Sequence, residues 1–164
     1  PMFCSGRARL WTTWTTTGGN QRDSGMARNI IWLAENLYKN EKIIVWAHNT
    51  HIDRNATSAK RLMGKLLSDH FKDQLYGIGL YMLNGTTASN DRKIQIVKPA
   101  PPGSIEEIVN KPGFTTAFLQ TNDPAFDRRM PTLYWGKEIL KMNLFKSYNA
   151  VILVNGVSAP VYLK

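Results

Sequence analysis

Two of the three histidines in this 164-residue chain stand three positions apart, in Trp46-Ala47-His48-Asn49-Thr50-His51-Ile52. A neutral imidazole near pH 7 can take a proton from water or polarise a carbonyl, so His48 and His51 could carry acid–base chemistry. The same pair could hold a metal ion, although zinc would need a third protein ligand such as Asp23 or Asp53, and His-x-x-His alone is a weak metal signal. They could also cap a loop through hydrogen bonds and do no chemistry. Their position weighs toward catalysis, because polar groups just past the carboxyl end of a strand in an open α/β sheet are well placed to meet a ligand.

The element that must position them is the run Lys42-Ile43-Ile44-Val45-Trp46-Ala47. After the lysine it is continuously apolar, without the alternation of a strand that has one wet face. It is therefore expected to be a central strand covered on both sides. Upstream, Met26, Ile30, Leu33, Ala34 and Leu37 share one helical face, predicting a helix over 24–39 with Asp23 as its N-cap. Packed antiparallel to the strand through a turn at Asn40-Glu41, that helix would bring Arg22 toward the histidine loop. Ala59, Leu62, Met63, Leu66 and Leu67 predict a second helix over 57–71, with His70 as an ordinary helix residue near its end.

Further along, strands are expected at 75–83, at 93–97 after an eight-residue loop, at 114–119 and at 150–154. Ser104-Ile105-Glu106-Glu107 has capping-box spacing and should open a short helix ending before Pro112, and another helix is expected over 132–142. This alternation predicts an α/β domain over 22–164, three-layer α/β/α with a mainly parallel or mixed central sheet. Residues 1–21, rich in Thr, Gly and Trp, show neither helical nor strand period and read as an irregular segment or linker.

Composition narrows the function classes. With 43% hydrophobic and 20% charged residues, the chain can bury a real core. A single cysteine, Cys4, rules out an internal disulfide framework. No apolar run approaches the roughly 20 residues needed to span a bilayer, and the first residues lack a signal-peptide layout. No membrane partner and a cytoplasmic location are the expectations. Position 1 is not methionine, which is consistent with a fragment. The net charge of +9 raises nucleic-acid binding, but the basic residues are scattered, and an exposed pair such as Arg128-Arg129 is ordinary. No nucleic-acid partner is expected. Gly-x-Ser-x-Gly, Walker and dinucleotide-binding glycine patterns are missing from the sequence, which disfavours a serine-nucleophile hydrolase.

The spacing Arg22-Asp23-x-x-Met26-Ala27-x-Asn29, followed by Ile44-Val45-Trp46-Ala47-His48-Asn49-x-His51-Ile52, resembles the erythromycin esterase family. Met63-Gly64, Tyr76-x-Ile78-Gly79 and the closing stretch from Phe145 to Val154 extend the likeness. The resemblance implies hydrolysis of a small-molecule ester or lactone by direct attack of water, with no cofactor and no metal, linked to macrolide resistance. It implies His48 and His51 as paired active-site histidines and Arg22 as the arginine of the same cleft, with Asp23 and Asn49 supporting them. In such enzymes a histidine–glutamate system activates water. The family supplies a further histidine and glutamates from an N-terminal half that nothing in residues 1–21 matches. The chain is thus expected to carry half of an active site, inactive alone, with the N-terminal half as a partner. A non-catalytic or differently specific homologue that binds in the same cleft is the other reading.

Overall fold

The computed structural model describes residues 18–55, 62–89, 91–110 and 113–161. They divide between Gly77 and Ile78 into two units.

The first unit is helical. Helix α1 (Gly18–Trp32) runs into one π-helical turn, Leu33–Leu37. An extended stretch follows, then the short helix α2 (Asn49–Ile52) and helix α3 (Met63–Phe71). The apolar face read from the sequence is real: Ala27 of α1 packs with Met63 and Leu67 of α3 as a buried cluster. Met26, Ile30, Ala47 and Ile52 close around it. Two expectations need correction. Asp23 is not an N-cap, because α1 begins at Gly18 and carries Asp23 in its interior. The run 43–47 belongs to no sheet among the described residues, where a central strand was expected. Its exposure alternates instead, with Ile43 37% and Val45 38% exposed against 91% for Ile44 and 85% for Trp46. Ala47 packs against the Ala27–Met63–Leu67 cluster, while Ile44 and Trp46 stand in water. Of the expected helix over 57–71, the part from Met63 forms, and residues 56–61 lie outside the described residues.

The second unit contains the strands. β1 (Ile78–Met82), β2 (Thr86–Ala88) and β3 (Ile94–Ile96) are followed by helix α4 (Ile105–Val109) and β4 (Thr116–Gln120). Then come β5 (Arg129–Tyr134), β6 (Glu138–Asn143), the short helix α5 (Leu144–Ser147) and β7 (Ala150–Val154). β7 is the middle strand of a mixed sheet ordered β1-β7-β4, parallel to β1 and antiparallel to β4. Its Ala150, Val151 and Leu153 are fully buried, as the continuous apolar run predicts. The fold class is α/β with a mixed sheet.

Two local assignments change. The loop before β3 contains β2, and the two form an antiparallel ribbon. The helix expected over 132–142 is the hairpin β5–β6. Trp135 and Gly136 take left-handed φ of +55° and +68°, which reverses the chain and rules out a continuous helix. The Ser104 cap holds: its side chain accepts from the Glu107 N–H, and the Gly103 N–H donates to the Glu107 carboxylate.

Gly64 shows how tightly α2 and α3 meet. A Cβ there would lie 2.2 Å from the carbonyl carbon and oxygen of Ile52, which are backbone and cannot swing aside. Gly64→Ala should therefore push α2 away and destabilise the protein by about 1–3 kcal/mol, read as a lower urea midpoint. An unchanged midpoint would mean that the two helices do not touch here.

Candidate active site

The extended stretch ends at His48, whose backbone (φ −63°, ψ 147°) is that of an N-cap. Its Nδ1 accepts a hydrogen bond from the Thr50 N–H at 3.3 Å. Asn49 opens α2 and is half-buried, and His51 follows on the next positions of the turn. Opposite stands Asp23, 1% exposed in the middle of α1. Its carboxylate contacts His51 Nδ1 at 2.9 Å and 3.1 Å through its two oxygens. The second oxygen also accepts from the Met63 N–H at 3.0 Å. One buried carboxylate thus joins the side of α1, the histidine turn and the first residue of α3.

These contacts assign the protons. A carboxylate only accepts, so His51 presents Nδ1–H to Asp23, and a neutral His51 keeps its lone pair on Nε2. His48 is the reverse: Nδ1 accepts from Thr50, so the neutral ring carries its hydrogen on Nε2. The two imidazoles are neighbours in opposite tautomers, one a base at Nε2 and the other a donor at Nε2. Burial of part of the His48 ring, and secondarily the His51 charge, lowers its pKa from 6.5. Both effects favour the neutral form that the cap requires.

Of the residues singled out in the sequence, His48, His51 and Asp23 come together, with Asn49 on the same turn. Arg22 neighbours Asp23 on α1, but its side chain is exposed and has no hydrogen bond or ion pair to another described residue. His70 lies elsewhere, with Nε2 2.7 Å from Glu35 of the π-helical turn. The Asp23–His51 contact itself was not read from the sequence. A signal for it was there, since Asp23 shares the helical face of Met26, Ala27 and Ile30, where an acid must find partners. Two more charged groups are shifted by burial. Arg54 follows α2 with its pKa lowered by burial against the raising effect of Asp53. In the second unit, Glu106 is wholly buried, and desolvation raises its pKa despite the Leu133 N–H at 2.7 Å. Among the described residues no cluster of three or more His, Cys, Asp or Glu is arranged to hold a metal ion. No helix among them is long and apolar enough to cross a membrane.

The family model described as erythromycin esterase matches residues 7–157. This chain belongs to the erythromycin esterase family. It is 32% identical over 161 residues to the "Putative hydrolase YbfO" of Bacillus subtilis (strain 168), covering 87% of this chain and 36% of that protein. It is 26% identical over 170 residues to the erythromycin esterase type II of Escherichia coli, covering 88% and 40%. A Bacillus cereus crystal structure shares the fold with a TM-score of 0.72 at 18% identity, over 86% of this chain and 39% of that one. The erythromycin esterase mutant EreC in its open conformation does so with a TM-score of 0.62 at 19% identity, over 89% and 40%. The chain thus spans about two fifths of the length of these members of the erythromycin esterase family.

The lowered pKa of His48 has a direct consequence for stability. Above 6.5 the ring is neutral in folded and unfolded chains alike. As pH falls below that value the unfolded chain takes up the proton first, so stability is lost as pH falls through the lower, folded value. Because His48 is exposed overall, the loss is modest. His48→Asn keeps a good cap and removes the titration. The difference in urea midpoint between the two proteins should shift in favour of the variant between pH 8 and pH 5. A constant difference across that range would contradict the lowered pKa of His48.

Proposed function

We propose that this chain carries part of the active site of a carboxylic ester hydrolase acting on a lactone of the macrolide class, and so lowers macrolide susceptibility. The observation that carries the reading is the Asp23–His51 contact at 2.9 Å, which leaves Nε2 of a neutral His51 as a base, one helical turn after His48. Family membership and a relative named as an erythromycin esterase support the ester as substrate.

The chemistry follows from the tautomers. Nε2 of His51 accepts a proton from water as the water oxygen attacks the ester carbonyl carbon. The carbonyl π electrons move onto oxygen, where a donor such as His48 Nε2–H steadies the charge and Arg22 is the candidate cation. Collapse of the tetrahedral intermediate breaks the ester C–O bond, and the leaving alkoxide takes the proton held by His51. The product is the ring-opened hydroxy acid, heavier by one water. Asp23 holds the His51 ring in the orientation that makes Nε2 the base and stabilises the imidazolium formed in passing. A histidine and glutamate from an N-terminal half of this family complete the site.

The test is lactone hydrolysis followed by mass spectrometry. The chain alone should leave the lactone intact, and joined to an N-terminal half of this family it should open the ring. In the joined protein, His51→Ala or His48→Ala should lower kcat by about 10²–10⁴-fold, whereas His70→Ala should leave it unchanged. Equal rates for His51→Ala and the unsubstituted protein would overturn the assignment. So would binding of the lactone without turnover, or full hydrolysis by the chain alone.

A further inference from the structure

Two Asn-Gly pairs, Asn84-Gly85 and Asn155-Gly156, stand just past the ends of β1 and β7. Those strands are parallel, with Met82 opposite Val154, so both pairs leave the sheet at the same end. The asparagine side chains are joined head to tail. The Gly156 N–H donates to Asn84 Oδ1 at 2.8 Å, Asn84 Nδ2 donates to Asn155 Oδ1, and Asn155 Nδ2 donates to the Phe114 carbonyl at 2.9 Å. Asn before Gly is the arrangement in which the next backbone nitrogen most readily attacks the side-chain amide carbon, because glycine has no Cβ to obstruct the approach. The clasp treats its two members differently. At Asn155 the attacking nitrogen is that of Gly156, and its N–H is held by Asn84. At Asn84 the attacking nitrogen is that of Gly85, which donates no hydrogen bond to another described residue. Asn84 is exposed and Asn155 half-buried. The fold also requires glycine after Asn84: at φ +107°, a Cβ on residue 85 would lie 2.0 Å from the Val157 carbonyl oxygen. The Gly156 N–H on Asn84 Oδ1 polarises the carbonyl under attack and is placed to meet the oxyanion formed there.

We infer that Asn84 is a site of spontaneous deamidation, and that Asn155 is guarded from the same reaction until Asn84 has been converted. The Gly85 nitrogen bonds to Asn84 Cγ, and the Cγ–Nδ2 bond breaks. Nδ2 leaves as ammonia with the proton that Gly85 gave up. Water then opens the succinimide at either ring carbonyl: its oxygen bonds to that carbon, one hydrogen goes to the ring nitrogen and the other to the new carboxyl group. The products are isoaspartate and aspartate. Ring closure removes the donor to Asn155 Oδ1, and it draws Asn84 Oδ1 back toward Gly85 and off the Gly156 N–H. In isoaspartate the main chain runs through the former side chain, so the clasp does not re-form. In aspartate a carboxylate faces Asn155 Oδ1, acceptor against acceptor. The second Asn-Gly pair is then released. Each conversion turns a neutral amide into a carboxylate and lowers the net charge of +9 by one. The inference rests on this clasp alone and is independent of whether the histidines hydrolyse an ester.

The experiment incubates the full 164-residue chain in mildly alkaline buffer, folded and, as the unclasped reference, in denaturing urea. Chains are separated by charge at intervals, and each fraction is mapped by proteolysis and mass spectrometry for acid at residues 84 and 155. In urea the two Asn-Gly pairs should react at similar rates. In the folded chain Asn84 should react about 10-fold or more faster than Asn155, the factor that one hydrogen bond on the attacking nitrogen supplies. The fraction that has gained one negative charge should carry acid at 84, and acid at 155 should appear only in the fraction that has gained two. Asn84→Ala removes an exposed side chain and no strand pairing. In that variant Asn155 should react about 10-fold faster than in the unsubstituted folded chain. The inference is overturned if folded Asn84 keeps its amide while the urea sample reacts, or if acid at 155 is found in the fraction that has gained only one charge. It is also overturned if Asn84→Ala leaves the Asn155 rate unchanged. The order of the two acids in the unsubstituted chain decides the matter even if the variant fails to fold.

Discussion

The buried carboxylate of Asp23 is the contact on which the histidine site depends. At 1% exposure it cannot be solvated by water, so its lone pairs must be met by donors from the protein. Those donors are His51 Nδ1–H and the Met63 N–H, supplied by two different parts of the chain. The need to satisfy one charge thereby fixes the distance between α1, the histidine turn and the start of α3. Removing the carboxylate would leave the Met63 N–H unpaired, a loss of about 1–3 kcal/mol, and would free the His51 ring to take either tautomer. Structure and chemistry are served by the same three atoms.

Around that contact the packing is close enough to transmit it. Gly64 touches the carbonyl of Ile52, so α2 and α3 are separated by a gap that only a hydrogen fills. The His48 cap closes α2 from the other end, with Thr50 as donor. A helix of a single turn has little stability of its own. It persists because a cap, a carboxylate and a glycine contact each hold one side of it. His48 and His51 are therefore placed by tertiary contacts more than by local preference.

How much of this was legible in the sequence differs from element to element. The Ala27–Met63–Leu67 core and the buried strand β7 were readable, because long apolar patterns have one good solution. The proximity of His48 and His51 followed from their spacing. The composition of 43–47 records the need for cover without recording where the cover comes from, so the lack of a pairing strand among the described residues was not readable. Asp23 was misjudged in a related way: adjacency to a helix start suggested a cap, whereas its phase on the apolar face of α1 pointed to a buried partner. The β5–β6 hairpin was missed because Leu133, Tyr134, Ile139 and Leu140 fit either period, and the deciding feature is the left-handed pair Trp135-Gly136. The burial of Glu106 beneath the Leu133 N–H depends on that hairpin and was invisible without it.

The chemistry of the site is set by the proton positions of two imidazoles. Their ring nitrogens are distinguished by ¹⁵N chemical shift and by couplings to the carbon-bound ring hydrogens, measured above pH 7 on the unsubstituted chain and on Asp23→Asn. The unsubstituted chain should show His51 with its hydrogen on Nδ1 and His48 with its hydrogen on Nε2. In Asp23→Asn, His51 should move toward the Nε2–H form while His48 keeps its pattern. Finding His51 already in the Nε2–H form in the unsubstituted chain, or unchanged in Asp23→Asn, would mean that Asp23 does not set the His51 tautomer.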